Sequence, residues 1–428
     1  MALIKKPMTG MKDILPKEME IRDYLISLIK ETYGSFGFTA IETPAVENIA
    51  NLSSKQGGEN EKLIFKILKR GAKLDLDGAQ SENDLADGGL RYDLTVPLVR
   101  FYSNNSANLP SPFKALQIGP VWRADRPQKG RFRQFYQCDI DILGEPGNLA
   151  EIELILATTT TLGRIGFKNF RIVINERRIL KAMAAYSGFA EEDYDTVFII
   201  LDKMDKIGLD GVKEELLKEG YSADCVERYT ELFEGIKRAP DGLSYACDKI
   251  KDHLEPDVMD NLKDIIDSVS GTKNYNFEVV FDPSLVRGMS YYTGTIFEIE
   301  VPEFGSSVGG GGRYDRMVGR FTGQEVPACG FSIGFERIVT ILLDNGFEIP
   351  GKSGKTAFLI EKGIRSDMLC GIIKEAQRLR GEGKSVLTVR MNKNKKFQKE
   401  QLEKEGYNDI REFYQNPINR RTKQWQNQ

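Results

Sequence analysis

The clearest alternation of apolar and polar residues lies between Phe113 and Gly144, and it predicts two strands joined by a charged loop. In the second strand, one face would carry Arg133, Phe135, Gln137, Asp139 and Asp141, and the other Gln134, Tyr136, Cys138, Ile140 and Ile142. In the first strand, Gln117, Gly119 and Arg123 would lie together, opposite Leu116, Ile118 and Trp122. Anchored by its apolar face, such a hairpin could form the floor of a site. An ordinary solvated sheet face is the alternative.

The segments before this hairpin predict helices and short strands. Helical periodicity indicates a helix from about Pro16 to Gly37, and a short strand follows in which Pro44 would end the ladder or sit at an edge. This helix and strand could form a self-pairing surface for a dimer, or could simply pack in the core. Leu90 to Thr95 predicts a strand that leads into a helix. Asp93 and Thr95 would then point to one side, where they could bind an ammonium group or cap the helix.

The pattern changes after the hairpin. Residues 175–270 show helical periodicity throughout, which predicts an all-α insertion in an α+β chain. Strands resume around Arg287 and the pair Tyr291 and Tyr292, a combination typical of either a turn or a pocket for an anion and a ring. The following glycine run would allow close backbone approach or form a flexible loop. Arg337 lies in the first turn of a helix that follows a strand, which suits a phosphate site. Residues 355–414 predict a small β-α-β-α-β unit.

Composition narrows the function. The 428 residues predict two to four domains, and 40% apolar with 29% charged residues is ordinary for a soluble protein. A net charge of −3 argues against binding nucleic acid by bulk positive charge, although residues 123–133 contain five cationic side chains. Five scattered cysteines argue against a disulfide framework or zinc site, and the single histidine, His253, excludes a Ser-His-Asp triad. With no leader and no long apolar run, we expect a cytoplasmic protein and no membrane contact.

Residues 8–345 resemble the histidyl-tRNA synthetase family of class II aminoacyl-tRNA synthetases. GMKDILPKE and FGFTAIETPAVE are similar to motif 1, with Pro44 as the motif proline at a dimer interface. WRADRPQKGRFRQF is similar to motif 2, and GFSIGFERI to motif 3. The motifs alone mark only the class, whereas LVRGMSYYTGTIFE, RYDLT and QCDID resemble signatures of the histidine-specific family.

The resemblance implies an α+β fold, with a six- to seven-stranded antiparallel sheet and flanking helices, and a homodimer. The implied division is a catalytic core in residues 1–175 and 271–350, a helical insertion in 176–270, and a shortened anticodon-binding-like α/β domain in 355–428. It further implies activation of L-histidine by ATP, with Mg²⁺ accompanying the ATP, followed by transfer of histidine to tRNA(His).

The resemblance also assigns roles to residues. It implies that Arg123 and Arg287 are catalytic cations at the α-phosphate. It implies that histidine is bound by Asp93, Thr95, Arg123, Gln137, Asp141, Arg287, Tyr291 and Tyr292. ATP would be bound by Arg123, Asp125, Phe135 and Arg337, and the tRNA acceptor end would contact Arg126, Gln128, Lys129 and Arg131. No protein metal site is implied.

The chain departs from the family pattern at three places. Asp125 stands where motif 2 usually has glutamate, Ser290 where the family often has Asp or Gly, and the C-terminal unit is short. One alternative function is therefore a non-catalytic, histidine-sensing regulatory subunit of ATP phosphoribosyltransferase. Such paralogues typically lose the catalytic arginines, whereas this chain has Arg123, Arg287 and Arg337. A tRNA-binding or signalling module without ligation is a third reading, based only on the unusual C-terminus.

Overall fold

The central alternating stretch forms an antiparallel hairpin whose strands are Phe113–Trp122 and Gln134–Leu143. The computed structural model describes residues 3–53, 60–127, 130–286, 291–301, 306–351 and 354–416. Its strands are β1 Thr39–Ala40, β2 Val46–Asn48, β3 Lys66–Leu68, β4 Ala86–Leu90, β5 Phe113–Trp122, β6 Gln134–Leu143, β7 Phe170–Glu176, β8 Phe277–Phe281, β9 Thr295–Val301, β10 Ser306–Arg313, β11 Ala328–Ile333, β12 Lys355–Ile360, β13 Val386–Arg390 and β14 Tyr407–Phe413. Its helices are α1 Pro16–Ser35, α2 Ile49–Leu52, α3 Thr95–Asn105, α4 Leu149–Ile165, α5 Arg177–Ser187, α6 Tyr194–Leu201, α7 Met204–Lys218, α8 Ala223–Arg238, α9 Gly242–Ile250, α10 Asp257–Thr272, α11 Arg316–Thr322, α12 Phe335–Asp344, α13 Ser366–Gly381 and α14 Lys395–Lys404.

The hairpin belongs to an eight-stranded sheet in the order β1-β5-β6-β11-β10-β9-β7-β8. Its pairs are antiparallel except for β1 with β5 and β7 with β8. The predicted α+β class is confirmed. The sheet has more strands than the six to seven expected, because β1 and β8 add short parallel strands at its two edges. Residues between β1 and β2 include Pro44, and β2 joins a separate three-stranded sheet with β4 and β3. The hydrogen-bonded ladder between β1 and β5 therefore ends before Pro44.

The glycine run forms strand β10, between β9 and β11. A Cβ added to Gly311 would overlap the carbonyl oxygen of Gly330 on β11 and lie 2.8 Å from the Cα of Phe331. Of the two alternatives, the flexible loop is therefore wrong. What approaches the glycines closely is the neighbouring strand itself.

Helix α1 packs against α4 and α12 beside the sheet. It begins at Pro16, a residue suited to the first turn because its missing N–H would be unpaired there anyway. Its apolar face is buried through Ile21, Leu25, Leu28, Ile29 and Tyr33. Burying this face against two other helices fixes α1 relative to the strands that they flank.

One strand prediction is wrong. The pattern predicts an extended Leu90 to Thr95, but β4 ends at Leu90 and α3 already begins at Thr95. The Asp93 carboxylate accepts a hydrogen bond of 3.0 Å from the backbone N–H of Val96. Because this bond pairs a donor in the first turn of α3, the residues before the helix form its cap and not a strand.

The segment from Arg177 to Thr272 contains α5 to α10 and no strand in the described chain, consistent with its helical periodicity. Helix α7 is kinked at Gly208, whose φ of 68° is the left-handed region that glycine adopts readily. His253 lies at the end of the 3₁₀ turn that follows α9, in a charged segment of the helical insertion.

The chain divides into two compact units, Met1–Asn345 and Gly346–Gln428. In the second unit β12 pairs in parallel with β13 on one side and β14 on the other. The two helices and three strands predicted for residues 355–414 all form. Phe358, Ile360, Ile372 and Leu379 lie in its core. Residues beyond 416 lie outside the described chain. Among the described helices, none is both long and apolar enough to cross a bilayer.

Candidate active site

A cavity of about 380 Å³ opens over the central hairpin and the first turn of α12. Eight of the residues singled out in the sequence line it: Arg123, Asp125, Arg131, Phe135, Gln137, Tyr291, Tyr292 and Arg337. These come from β6, the loop before it, the segment before β9 and helix α12. The fold therefore brings together side chains that are up to about two hundred positions apart in the sequence.

The floor of this site is the polar face of the hairpin. Gln117 pairs with Asp139 and Gly119 with Gln137 across β5 and β6, while β11 places Ser332 beside Asp139. Of the polar residues on this face, Gln137 lines the cavity, while Gln117, Asp139 and Asp141 are buried and are not among its described lining residues. The alternative of an ordinary solvated sheet face is therefore wrong. Burying two carboxylates on one face is costly unless they are hydrogen-bonded or meet a cation.

Asp141 has one fixed partner on this floor. The Tyr314 hydroxyl donates a 2.5 Å hydrogen bond to Oδ1, while Oδ2 has no hydrogen-bond partner among the described residues. Burial raises the pKa of Asp141 to about 7, the Tyr314 hydrogen bond opposes this rise, and the charge of Asp93 adds to it. Gly330 leaves the space that the carboxylate fills, since a Cβ there would overlap Oδ1.

Gln137 presents a second unpaired acceptor. Its Nε2 donates to Ser332 Oγ at 3.1 Å and to Asp139 Oδ2 at 3.3 Å, while Oε1 has no partner in the described chain. Burial, followed by the nearby charge of Asp141, raises the pKa of Asp139 well above its ordinary value. Buried acceptors without partners are uncommon in folded proteins. This group of acceptors fits a ligand that carries several N–H donors and a positive charge.

Asp93 lies near this floor but does not line the cavity in the described structure. Its carboxylate caps α3 through Val96, which supports the capping alternative, and Thr95 is the first residue of that helix. Burial raises the pKa of Asp93, while the charge of Arg123 lowers it. Although Asp93 caps the helix, its negative charge still raises the pKa of Asp141.

Arg123 is fixed at the cavity wall by two contacts. Its Nε donates to the Tyr92 carbonyl at 2.8 Å, and its guanidinium lies over the Phe135 ring, 5.2 Å from the centroid. The hydrogen bond and the ring together orient a planar cation. Further along the loop, Asp125 pairs with Arg131 at 3.5 Å, and Arg126 is exposed away from the cavity lining.

The rest of the lining includes the rings of two tyrosines and the guanidinium of Arg337. The rings of Tyr291 and Tyr292 lie 4.3 Å apart between centroids and pack against the core that contains Tyr314. Arg337 is exposed in the first turn of α12 and donates a hydrogen bond to the Ser307 carbonyl. Arg287, Gln128, Lys129 and Ser290 lie outside the described residues.

Sequence reasoning missed several residues of the site. Glu298 and Glu336 line the cavity, and Tyr314 holds Asp141. Glu298 lies in the segment that resembles the histidine-specific signature, and Glu336 in the segment that resembles motif 3. In both segments, other residues carried the resemblance. Arg22 binds Glu336 although the two are 314 positions apart, so no local pattern could have paired them.

An antiparallel sheet with a polar hairpin floor, followed by a strand and helix that place an arginine at the cavity, is the catalytic architecture of class II aminoacyl-tRNA synthetases. The family model described as "Histidyl-tRNA synthetase" matches residues 10–338. A histidine–tRNA ligase of Leifsonia xyli subsp. xyli (strain CTCB07) is 47% identical over 364 residues, which are 83% of this chain and 83% of that protein. The chain belongs to the histidyl-tRNA synthetase family.

Solved structures agree on the fold. A histidyl-tRNA synthetase from Nostoc sp. PCC 7120 superposes with a TM-score of 0.76 at 26% identity, covering 95% of this chain and 90% of that one. An ATP phosphoribosyltransferase regulatory subunit/histidyl-tRNA synthetase from Bacillus halodurans C gives 0.75 at 19% identity, covering 96% and 99%. At that identity the second likeness concerns the fold alone and does not favour the regulatory alternative.

Proposed function

We propose that the protein is a histidine–tRNA ligase. It would activate L-histidine with ATP, giving histidyl-adenylate and pyrophosphate, and then transfer the histidyl group to the 3′ end of tRNA(His). The observation that carries this proposal is the buried floor. Gln137 Oε1 and Asp141 Oδ2 lack partners in the described chain, and they share β6 with Phe135. A cationic amino acid and a nucleotide would therefore meet on one strand.

In the first step, an oxygen of the histidine carboxylate attacks the α-phosphorus, and the bond to the β-phosphate breaks. The protein's part is to align these groups and stabilise negative charge on the phosphate oxygens. Arg123 suits this task because its contacts with Tyr92 and Phe135 already orient the guanidinium. Arg287 would supply a second cation by family likeness, and Arg337 would bind the γ-phosphate.

ATP would place its adenine against Phe135, with Asp125 near the base. Mg²⁺ would arrive on the phosphates as part of this substrate. No cluster of three histidine, cysteine or acidic side chains suited to a resident metal occurs in the described chain. The cavity does contain the carboxylates of Asp125 and Glu298, whose oxygens are donors of the type that Mg²⁺ prefers.

Histidine would be recognised at both ends. Asp141, Gln137 and Asp93 would hold the ammonium group with help from Thr95, while Tyr291 and Tyr292 line the imidazole pocket. Arg123 and Arg287 would face the carboxylate. A ligand side chain that cannot hydrogen-bond to these buried polar groups would leave them unpaired. Each unpaired group would weaken binding by about 1–3 kcal/mol. Recognition of this kind can reject isosteric amino acids without a second, editing site.

The second step would bring the tRNA acceptor end to the loop before β6. Arg126 and Arg131 are exposed on that loop and present cationic groups to solvent. Gln128 and Lys129 would add to this contact. The assembly would be a homodimer in the cytoplasm. The exposed apolar residue Val46, two positions after Pro44 on an outer strand of the small sheet, supports a subunit surface there.

Histidine-dependent ATP–pyrophosphate exchange tests the proposal. The purified protein should exchange robustly, and Arg287→Ala should abolish the exchange because it removes a cation from the α-phosphate. Histidine binding measured by calorimetry serves as the control for folding. If histidine binds but no exchange occurs, the ligase proposal fails and the regulatory alternative replaces it.

A further inference from the structure

Three segments of the catalytic unit meet at the carboxylate of Glu336, in the first turn of α12. Arg22 on α1 donates from Nη1 to Oε2 at 2.7 Å and from Nη2 to Oε1 at 2.8 Å. The backbone N–H of Tyr136 on β6 donates to the same Oε1 at 3.1 Å. One carboxylate thus ties together a helix, a strand of the hairpin and the helix that carries Arg337.

The pair between Arg22 and Glu336 is almost completely withdrawn from solvent, with 3% and 7% of these residues exposed. The Arg22 guanidinium lies 5.0 Å from the ring centroids of both Tyr136 and Phe335. Burial lowers the pKa of Arg22, but the hydrogen bonds and charge of Glu336 outweigh it, so the pKa lies above its ordinary value. The guanidinium therefore stays charged opposite the carboxylate.

A buried ion pair of this kind contributes little net stability compared with well-packed apolar side chains, because desolvation offsets the attraction. Its two parallel hydrogen bonds nevertheless permit only a narrow range of distances and angles. The structural consequence of the pair is therefore geometric. Arg22 holds the Glu336 carboxylate in place on α12, and this carboxylate and the Arg22 guanidinium both contact Tyr136 on β6, so the pair orients β6 relative to α12.

The residues adjacent to this junction face the cavity. Arg337 follows Glu336 directly, and Phe135 precedes Tyr136 directly. Glu336, Tyr136, Phe135 and Arg337 all line the same cavity, whereas Arg22 is not among its lining residues. The distance between the ring proposed for adenine and the guanidinium proposed for the γ-phosphate thus depends on Glu336.

We infer that Arg22 and Glu336 are positioning residues for ATP, which set the span between Phe135 and Arg337 across which the nucleotide is bound. This inference rests on the proposed function, since it assumes that these two side chains bind ATP. It predicts a selective effect: ATP affinity depends on the pair, while the histidine floor around Asp141 does not.

The decisive variant is the double substitution Arg22→Met/Glu336→Gln. Arg22→Met alone would leave a buried, unpaired carboxylate and could unfold the protein. The double variant removes both charges, and the amide oxygen that Glu336→Gln introduces can still accept the Tyr136 N–H. The matched control is Glu151→Gln, which weakens another buried pair in the same unit while Asp315 Oδ1, 3.3 Å from Arg313 Nη1, remains as a charged partner of that guanidinium. There Arg313 Nε and Nη2 lie 2.7 Å from Glu151 Oε1 and Oε2, outside the described lining of the ATP cavity.

Calorimetric binding of ATP and of histidine, each measured alone, decides the inference together with the Michaelis constants in pyrophosphate exchange. We expect the double variant to bind ATP about ten- to a hundredfold more weakly, because small misplacements of binding groups have effects of that size. Histidine affinity should be unchanged, and Glu151→Gln should alter neither.

Unchanged ATP affinity in the folded double variant would overturn the inference. An equal loss of ATP and histidine affinity would also overturn it, since that result would indicate general loosening of the fold. If the wild-type protein binds both ligands without exchange, the ligase proposal fails, yet the binding data still decide whether the pair positions ATP.

Discussion

At the scale of single residues, the environment of Asp141 differs strongly from that of a solvent-exposed aspartate. It is buried, receives one hydrogen bond from Tyr314, and has a pKa of about 7. A carboxylate with this pKa is half protonated near neutrality when no ligand is bound. A histidine ammonium group would favour the charged form, so that ligand binding and deprotonation of Asp141 are linked.

This linkage predicts that histidine affinity rises with pH. With a pKa of about 7, roughly one tenth of Asp141 is charged at about pH 6 and nine tenths at about pH 8, so affinity should rise about tenfold. Calorimetry in two buffers of different ionisation enthalpy should also detect proton release at the lower pH. Histidine's own imidazole titrates in this range, and Asp141→Asn controls for it. An identical pH dependence in that variant would contradict the assignment.

The raised pKa of Asp141 also affects the stability of the protein without ligand, which should fall as pH rises, whereas histidine affinity should increase. An unfolded aspartate has a pKa of about 3.9, so the folded protein without ligand binds this proton more tightly. The stabilisation that protonation provides is complete below about pH 4 and is lost as pH rises through about 7. Asp141→Asn should therefore be more thermally stable than the wild type above neutrality while binding histidine less tightly. Thermal melting at about pH 8 without ligand measures this, and a lower melting temperature for the variant would contradict it.

At the scale of elements, β10 depends on glycine because β9 and β11 lie on both sides of it. Gly311→Ala should destabilise the protein by about 1–3 kcal/mol or more, the usual range for overpacking, since its Cβ would overlap the Gly330 carbonyl. Gly271→Ala is the matched control. That glycine lies in α10 with no atom within 4 Å of an added Cβ, and the change should be neutral or stabilising by up to about 1 kcal/mol. Urea denaturation compares them; equal stability would refute the packing argument.

The elements were predictable where a single periodicity governed them. The hairpin alternates with period two, and both predicted strands form, although Arg123 and Arg133 lie just outside them because β5 ends at Trp122 and β6 begins at Gln134. The strand predicted from Leu90 to Thr95 is wrong because the Asp93 side chain caps helix α3 there instead. The glycine run left two alternatives, since only the neighbouring strands determine whether glycines are flexible. The pair of Arg22 and Glu336 could not be predicted, because it joins residues 314 positions apart.

At the scale of the whole molecule, every described residue proposed for adenylation lies in the unit Met1–Asn345. The unit Gly346–Gln428 contains only a three-stranded parallel sheet and two helices in its described part. This separation predicts that the two steps of the reaction can be uncoupled. Activation of histidine should need the first unit alone, while charging of tRNA would require the second unit wherever anticodon contacts contribute.

The most direct measurement is histidine-dependent ATP–pyrophosphate exchange by the full chain and by a fragment ending at Asn345, with tRNA(His) charging followed in parallel. We expect exchange with histidine and with no other amino acid, comparable rates in the two proteins, and weaker charging by the fragment. Thermal melting of the fragment checks that it folds. Absence of exchange by the full chain, or equal exchange with another amino acid, would contradict the proposal that this polar floor activates histidine.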